Sequence, residues 1–458
     1  MKKKPNVMLV VIDTLRAQSM SCYRYSLKTS PAMDKYAQEG TRFNWTFSES
    51  PPTQPGFTAI LTGTNPIVNN IVSHFLFKDC INGWREKAPQ ITRGVKMLPQ
   101  LMRENGYKTY AVDNLITMRH HFYWGYDEYL YSSVVKGKDR SIRVTADDIN
   151  GNLLPLLKRI KNENFFLFVH YWDPHGPYVP PEKFQKFMTT KKTEEEMLKE
   201  MVFQGKDLSW EDFVRSESEK ENLEVRAKYD GEIAYVDDRL DQVFKLMQKL
   251  GLDKNTVVII ISDHGESFGI HNTMGHAGLH DTVIRVPLIF HGSGIPVGKV
   301  INALARQVDV VPTVLDFTGI DFKEPYPLSG MSLKPLIMGE TSETVEAIYA
   351  AECTQQKTRA IRTKKWKFIK AMEDESRVDG LPSKELYDLE NDPWEEKNLV
   401  KQKPDVAQDL EKKMDAWVKE ECQKVGRERD IMLITPRGVN KEQYKDPSQY
   451  DFQTKAFK

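Results

Sequence analysis

Three polar side chains follow two of the most apolar runs in the chain. Asp13 comes directly after the run 7–12, and Asp263 and His264 come just after the run 257–261. Short, β-branched-rich apolar runs are typical of strands buried on both faces of a parallel sheet. Because such strands end at one edge of the sheet, their polar end groups can bind a single divalent cation. A helix cap or a loop turn can explain each residue singly. Neither explains why all three stand at the ends of core strands.

A candidate nucleophile lies in the hydroxyl-containing segment 50–63. The segment is proline-rich at its start, which predicts a loop that runs into the N-terminus of a helix. A hydroxyl at that position is surrounded by free backbone N–H groups, the setting that binds phosphate or sulfate oxygens. A Ser/Thr helix cap is the alternative interpretation.

Strand-like and helix-like segments alternate along the first three quarters of the chain, which predicts an α/β fold. A third apolar run at 165–170 is followed by Asp173 and His175, again polar groups beyond a strand end. Helices are expected at 31–39, 58–61, 95–105, 145–160 and 227–250.

The pattern of predicted strands and helices changes after about residue 338. Antiparallel strands are expected at 345–352, 358–370 and 385–389, followed by an amphipathic helix at 405–420. We therefore predict a catalytic α/β domain at 1–337, a smaller α+β subdomain at 338–422 and a C-terminal tail at 423–458. Within the first domain, the Lys- and Glu-rich stretch 187–226 is interpreted as a solvated helical insertion.

The overall charge of the chain favours no class of binding partner. The 458 residues include 65 Lys and Arg against 65 Asp and Glu, so no general affinity for nucleic acid or an anionic membrane is expected. The mean hydropathy is −0.53 and no apolar run approaches 18 residues, which argues against a membrane span.

The cysteines and the N-terminus indicate the compartment. Four cysteines lie far apart, without disulfide or zinc-finger spacing, and are interpreted as reduced thiols. The apolar run after the basic N-terminus is too short for a signal peptide and lacks a small-residue cleavage site. A cytoplasmic location is expected, and the oligomeric state cannot be read from the sequence.

Several segments together resemble the sulfatase family of the alkaline phosphatase superfamily. The resemblance is carried, in order and spacing, by residues 6–16, 53–63, 173–178, 261–266, 285–289, 307–313, 330–333 and 385–393. It implies a mixed, mostly parallel sheet flanked by helices, with a smaller C-terminal α+β subdomain. It also implies one metal ion held by Asp13, Asp263 and His264, with Thr53 at the nucleophile position as a further ligand.

The metal set differs from the family pattern in two places. The family commonly has a second Asp where this chain has Thr14, and often Asn where it has His264. Fewer carboxylates and an imidazole favour Mn²⁺ or Zn²⁺ over Ca²⁺ or Mg²⁺.

The nucleophile position differs more sharply. Sulfatases carry Cys or Ser in a Cys/Ser-x-Pro-x-Arg stretch that matures to formylglycine, and this chain has Thr53 and Phe57 in the corresponding places. Threonine cannot become formylglycine, and the arginine is missing. Aligning Ser50 with the motif instead would shift the spacing to Thr62-Gly63 by three residues. Thr53 keeps the register.

Four further residues are candidates from the resemblance and their chemistry. His175 lies in an Asp-Pro-His stretch and His276 stands where many sulfatases have a lysine, so both are candidates for leaving-group protonation. Asn114 falls near another sulfatase lysine that contacts sulfate, and His280 could help to hold a second metal or the substrate. A structural histidine bonded to a backbone carbonyl is the alternative for His175 and His276.

Three hypotheses follow. The first is a metal-dependent hydrolase or transferase acting on a phosphate mono- or diester of a small molecule or glycan through Thr53. The second is a sulfate ester hydrolase that works without formylglycine. The third is an anion-binding pseudoenzyme, which the retained metal set argues against.

Overall fold

A computed structural model describes most of the chain. The described residues are 4–74, 90–131, 144–176, 178–188, 219–268, 271, 274–276, 278–373, 381–435, 450–451 and 456–457.

An eight-stranded sheet forms the centre of the protein. Its strands are β1 (Asn6–Ile12), β2 (Thr41–Phe47), β3 (Lys108–Val112), β4 (Glu128–Leu130), β5 (Phe165–Tyr171), β6 (Thr256–Ile261), β7 (Arg285–Gly292) and β8 (Lys299–Arg306). Their order in the sheet is β8-β2-β7-β6-β1-β5-β3-β4. Of these eight strands, β7 is antiparallel to both neighbours and the others are mutually parallel. The predicted mixed, mostly parallel sheet is confirmed.

Helices cover both faces of this sheet. They are α1 (Pro31–Gln38), α2 (Thr53–Thr62), α3 (Leu98–Glu104), α4 (Ala146–Ile160), α5 (Glu219–Leu250) and α6 (Val310–Thr318). Alternate side chains of β1 point to opposite faces. Met8 and Val10 pack in the cluster with α1, α4 and α5, whereas Leu9 and Val11 pack with α2, α3 and α6. This two-sided burial explains why β1 is apolar throughout.

The three apolar runs form neighbouring parallel strands, as their sequences predict. β1 pairs with β5 on one side and with β6 on the other, with Val11 opposite His170 and Ile261. The residues that follow β1 and β6 are therefore at the same edge of the sheet.

A second, antiparallel sheet lies in the C-terminal part. Its strands, in spatial order, are β9 (Ala347–Glu352), β10 (Thr358–Thr363), β11 (Trp366–Ala371) and β12 (Lys384–Asp388), and helix α7 is Pro404–Lys424. One face of this sheet packs on α7 and the other on residues of the main sheet region, including Phe47 and Leu304. The smaller α+β unit agrees with the expected fold class.

The single strand predicted at 358–370 is wrong. Those residues form β10 and β11, joined by a tight turn in which the N–H of Trp366 donates to Oγ1 of Thr363 at 2.8 Å. The turn residues, Lys364 and Lys365, are not the Gly, Asn or Pro that usually mark a hairpin.

The predicted insertion and tail are only partly described. Residues 189–218 lie outside the described residues, and α5 begins at Glu219, inside the predicted insertion. At the other end, Ile431 and Met432 are buried against Ile67 and Cys353. The first part of the predicted tail therefore packs on the protein.

Short elements complete the description. They are Ala17–Ser19, Ser21–Tyr23, Pro66–Asn69, Leu115–Thr117, His120–Tyr123, Glu182–Met188, Asp253–Asn255, Ser267–Phe268, Met274–Gly275, Asp281–Ile284, Gln307–Asp309, Lys334–Met338, Ile431–Ile434, Tyr450–Asp451 and Ala456–Phe457. None of the helices in the described part of the chain is both long and apolar enough to cross a membrane.

A buried charge cluster connects the second sheet to the main sheet region. The Nζ atom of Lys367 on β11 is completely buried and lies 2.6 Å from both Asp281 Oδ1 and Glu395 Oε1. Although burial alone would raise the pKa of Asp281, Lys367 and Arg362 hold that pKa below its usual range. One lysine thus neutralises carboxylates from two parts of the chain.

We expect Lys367→Met to destabilise the protein by about 3–5 kcal/mol, because it leaves buried carboxylates without their cation. Urea unfolding followed by circular dichroism measures the change. Lys365→Met is the matched control, because the ion pair of Lys365 with Glu390 is exposed and should contribute little. Equal urea midpoints for the two variants would show that the buried cluster is not stabilising.

Candidate active site

Asp13, Asp263 and His264 meet at the carboxyl edge of the main sheet. All three side chains are buried, and each offers a ligand atom within 4.8 Å of the others. Thr53 is the first residue of α2, and its Oγ1 lies 3.4 Å from Nε2 of His264. The structure therefore brings together the four residues predicted to bind the metal.

Hydrogen bonds orient Asp263 toward this group. Its Oδ1 accepts the backbone N–H groups of Thr14 at 3.1 Å and His264 at 2.9 Å. Its Oδ2 is buried without a hydrogen-bond partner among the described residues, and so are both carboxylate oxygens of Asp13. Buried carboxylates in proteins are paired or bind metal ions, so a divalent cation fits this set.

Thr14 holds an unfavourable backbone conformation at the end of β1. Its φ is +57°, in the left-handed region that β-branched residues rarely adopt. Tyr229 donates a hydrogen bond from its hydroxyl to the Thr14 carbonyl at 2.8 Å. These contacts stabilise the turn. In this conformation the Thr14 N–H points at Asp263.

Helix α2 approaches the Asp263 loop very closely, which positions Thr53. A Cβ at Gly56 would lie 2.9 Å from the carbonyl oxygen of Asp263. Nε2 of Gln307 donates to the carbonyls of the same loop, to Ser262 at 2.7 Å and to Asp263 at 2.5 Å. The absence of a side chain at position 56 therefore lets α2 place its first residue at the metal ligands.

The titration properties suit His264 to metal binding. Burial and neighbouring His276 lower the pKa of His264 to about 4, so its imidazole is neutral near pH 7. Nδ1 lies 2.8 Å from the carbonyl oxygen of Gly265, which assigns the proton to Nδ1 and leaves the Nε2 lone pair directed at the other ligands. Burial and the nearby Asp13 raise the pKa of Asp263 well above its usual value.

A buried histidine on β5 lies between two carboxylates. Nε2 of His170 is 3.5 Å from Asp13 Oδ2, and Nδ1 is 2.7 Å from Asp113 Oδ1. Tyr129 donates its hydroxyl hydrogen to the other oxygen of Asp113. Burial alone would lower the pKa of His170, but the two carboxylates raise it to about 9. An imidazolium thus offsets part of the negative charge of the site.

Both predicted proton donors lie beside the metal-binding group. The ring of His276 is 4.7 Å from that of His264 and 5.5 Å from that of His175, measured between centroids. Nδ1 of His276 is 3.5 Å from Oε1 of Glu266, whose other oxygen accepts the hydroxyl of Tyr178 at 2.7 Å. Burial lowers the pKa of His276, but Glu266 outweighs it and the net shift is upward.

The two remaining candidates are placed differently. Asn114 follows β3 and is buried, and its carbonyl accepts the N–H of Thr117 at 3.2 Å. His280 lies at the second sheet, where its Nε2 is 2.9 Å from Glu385 and its ring stacks on His271 at 3.7 Å. His280 is outside the group formed by the predicted metal ligands, and its predicted role remains untested.

Three residues near the site carry no sequence signal that singles them out. His170 is hidden inside an apolar run, although its place near the end of a strand beside β1 is a usable clue. Arg119 donates from Nε to Oε1 of Gln54 at 2.7 Å, next to the nucleophile position. Burial, His276 and Arg119 lower the pKa of His74 to about 3, which places His74 near the same charges.

The α/β sheet therefore carries, at its carboxyl edge, a buried group of acidic and imidazole side chains that could hold a metal ion. The family model described as Sulfatase matches residues 5–320. A second model, N-sulphoglucosamine sulphohydrolase, C-terminal, matches residues 269–422. The chain belongs to the sulfatase family of the alkaline phosphatase superfamily.

Relatives and solved structures are similar over most of this chain and most of their own length. An N-acetylglucosamine-6-O-sulfatase of Bacteroides thetaiotaomicron is 25% identical, over 87% of this chain and 83% of that protein. An arylsulfatase of Clostridium perfringens is 24% identical, over 87% and 90%. The crystal structure of a phosphonate monoester hydrolase of Agrobacterium radiobacter superposes with a TM-score of 0.71 at 18% identity, over 92% of this chain and 97% of that one. The last similarity shows the fold.

We expect Mn²⁺ to stabilise the metal-free protein by about 2.7 kcal/mol at a concentration 100 times its Kd. Asp263→Asn should remove this stabilisation because it removes a carboxylate ligand. Thermal unfolding with and without Mn²⁺ measures the difference. Asp241→Asn, at an exposed ion pair on α5, is the control and should respond like the wild type. An Asp263→Asn protein stabilised as strongly as the control would exclude this metal site.

Metal binding should strengthen as pH rises. The raised pKa of Asp263 means that the metal-free carboxyl retains its proton above the usual pH range, and the metal must displace that proton. Calorimetric titration of Mn²⁺ between pH 6 and 8, in buffers of different ionisation enthalpy, measures Kd and proton release together. A Kd that is independent of pH, with no proton release, would contradict this expectation.

Proposed function

We propose that this protein is a metal-dependent hydrolase of phosphoric esters that uses Thr53 as its nucleophile. The observation that carries the proposal is the position of Thr53 at the N-terminus of α2, with Oγ1 3.4 Å from Nε2 of His264. The hydroxyl thus adjoins the group that fits a divalent cation, where nucleophile and metal act on the same ester.

The chemistry of threonine supports phosphoryl transfer over sulfuryl transfer. A formylglycine hydrate releases sulfate by collapsing to the aldehyde, whereas a Thr53 ester must be opened by attack on phosphorus or sulfur. The motif arginine has no counterpart at Phe57, whose side chain is buried and packs on the ring of His170 at 4.5 Å between centroids. Position 57 therefore belongs to the core, and no cation reaches the ester from it.

The steps are assigned to residues of this chain. A divalent cation bound by Asp13, Asp263 and His264 would supply Lewis acidity that lowers the pKa of the Thr53 hydroxyl. Oγ1, having released its proton to solvent, then forms a bond to phosphorus while the bond from phosphorus to the leaving oxygen breaks. Backbone N–H groups of the first turn of α2 stabilise the charge on the phosphoryl oxygens.

Protonation of the leaving group is assigned to His276, with His175 as its neighbour. The upward shift of the His276 pKa, maintained by Glu266, keeps more of the imidazole in its acid form near neutral pH. Water then attacks phosphorus, breaks its bond to Oγ1 of Thr53 and releases phosphate. The proton lost by the attacking water returns to the imidazole.

A sulfate ester is the second candidate substrate, and the names of the relatives favour it. The N-acetylglucosamine-6-O-sulfatase and the arylsulfatase are similar over more than four fifths of this chain. The same geometry would then act on sulfur without formylglycine. In either case, an anionic ester of a small molecule or glycan is the proposed substrate class.

The aromatic residues that follow Arg119 are suited to the leaving group. Tyr123 and Trp124 are 51% and 40% exposed, whereas Phe122 is buried. Exposed rings of this kind can stack on a sugar or an aryl group. Trp84 lies outside the described residues.

We expect Thr53→Ala to lower kcat/KM for p-nitrophenyl phosphate or bis-p-nitrophenyl phosphate by at least about 10³-fold, because the nucleophile is lost. Thr53→Ser should retain measurable turnover. Assays with Mn²⁺ or Zn²⁺, alongside p-nitrophenyl sulfate, measure all three esters. Acid quenching with a ³²P-labelled substrate should trap a covalent adduct in the wild type and none in Thr53→Ala.

Ser50→Ala is the matched control, because Ser50 is the competing hydroxyl before α2 and is equally buried. Its turnover should stay within about tenfold of the wild type, a loss far smaller than that expected for removing a nucleophile. Phosphate turnover that survives Thr53→Ala would overturn the mechanism. Sulfate turnover that exceeds phosphate turnover would establish the second candidate instead.

A further inference from the structure

We infer that Arg119 binds the non-bridging oxygens of the esterified group in front of Thr53, and that it favours phosphate monoester dianions as substrates. This inference rests on the proposed function and narrows its substrate class. It assigns a role to a residue that no sequence motif marks.

Arg119 lies at the carboxyl edge of the main sheet, between β3 and β4. It has extended backbone angles directly before the short helix His120–Tyr123. Its Nε donates to Oε1 of Gln54 at 2.7 Å, and Gln54 is the residue after Thr53. Because Gln54 is buried in the first turn of α2, this bond fixes the guanidinium at that turn, one residue along the helix from Thr53.

The guanidinium of Arg119 adds a full positive charge to the first turn of α2. The N-terminus of α2 carries a partial positive charge, and its first turn contains no acidic residue. The downward shift of the His74 pKa, due first to burial, includes contributions from both His276 and Arg119, which places these groups in the same region. An anionic ester bound at Thr53 is favoured by the positive charges of Arg119 and of the helix N-terminus.

Charge counting indicates which ester benefits most. The carboxylates of Asp13 and Asp263 together balance one divalent cation. The charge of the substrate must therefore be met by other groups, and Arg119 supplies a full positive charge that does not depend on pH. A phosphate monoester dianion carries one more negative charge than a phosphate diester or a sulfate ester. The binding of the monoester dianion is therefore strengthened most by Arg119.

The chain also lacks the cations that the sulfatase pattern places around the ester. Phe57 replaces the motif arginine and is buried in the core, and Asn114 stands near the position of a lysine. Arg119 follows Asn114 by five residues in the same connection. Its planar fork can form two parallel hydrogen bonds to phosphoryl oxygens, which a lysine cannot.

The test compares Arg119→Met and Arg119→Lys with the wild type, all loaded with Mn²⁺. We expect Arg119→Met to weaken the binding of inorganic phosphate at least about tenfold by calorimetry. It should lower kcat/KM for p-nitrophenyl phosphate about 10- to 100-fold more than for bis-p-nitrophenyl phosphate. Arg119→Lys should be intermediate, because it keeps the charge without the fork.

Arg103→Met is the matched control, since Arg103 is an exposed arginine of α3. It should bind phosphate like the wild type. Unchanged phosphate binding in Arg119→Met, or equal losses for the mono- and diester, would overturn the inference. If Arg119→Met does not fold, Arg119→Lys decides between these outcomes by the same measurements.

Phosphate binding is read independently of turnover. A wild type that binds phosphate through Arg119 but hydrolyses no phosphate ester would contradict the proposed function alone. Equal hydrolysis of phosphate esters by the wild type and by Arg119→Met would contradict this inference alone.

Discussion

Mutual repulsion between the buried carboxylates of Asp13 and Asp263 governs the arrangement of the site. The two groups follow adjacent parallel strands, β1 and β6, so the sheet itself forces them together. In a buried site, two carboxylates within 4.8 Å of each other favour either the protonation of one of them or the binding of a cation. The imidazolium of His170 relieves part of this repulsion from the β5 side. A divalent cation bound with Thr53 would relieve the rest.

The cations of this site differ in origin from those that the sulfatase pattern leads one to expect. In that pattern an arginine follows the nucleophile on the same helix. Here the helix position is Phe57, a core residue, and the guanidinium comes from the connection between β3 and β4. Under the proposed function, Thr53 at the nucleophile position and Arg119 as the source of positive charge both suit an ester whose intermediate is opened by water.

The central strands and the clustering of Asp13, Asp263 and His264 could be predicted because their signals are local. Continuous apolar runs mark strands buried on both faces, and Asp13 and Asp263 follow those runs directly. β7 could not be identified as antiparallel, because strand direction depends on pairing partners far away in the chain. The turn between β10 and β11 was missed because its lysines are not typical turn residues.

His170 and Arg119 could not be predicted from the sequence, for a different physical reason. His170 lies in an apolar run, and its importance follows from Asp113 and Asp13 on the neighbouring strands. Arg119 acquires its position through Gln54, whose sequence position gives no hint of that contact. Hydrogen bonds between distant segments leave no periodic pattern in the sequence.

The turn at Thr14 has a consequence for the order of assembly. Its N–H reaches Asp263 across 249 positions of the chain, and Thr53 reaches His264 across 211. Such long loops close only when β1 and β6 are already paired. A cation at this site would therefore meet its ligands together only in the folded sheet. Loading would then follow the folding of the metal-free sheet, in which His170 compensates the carboxylates.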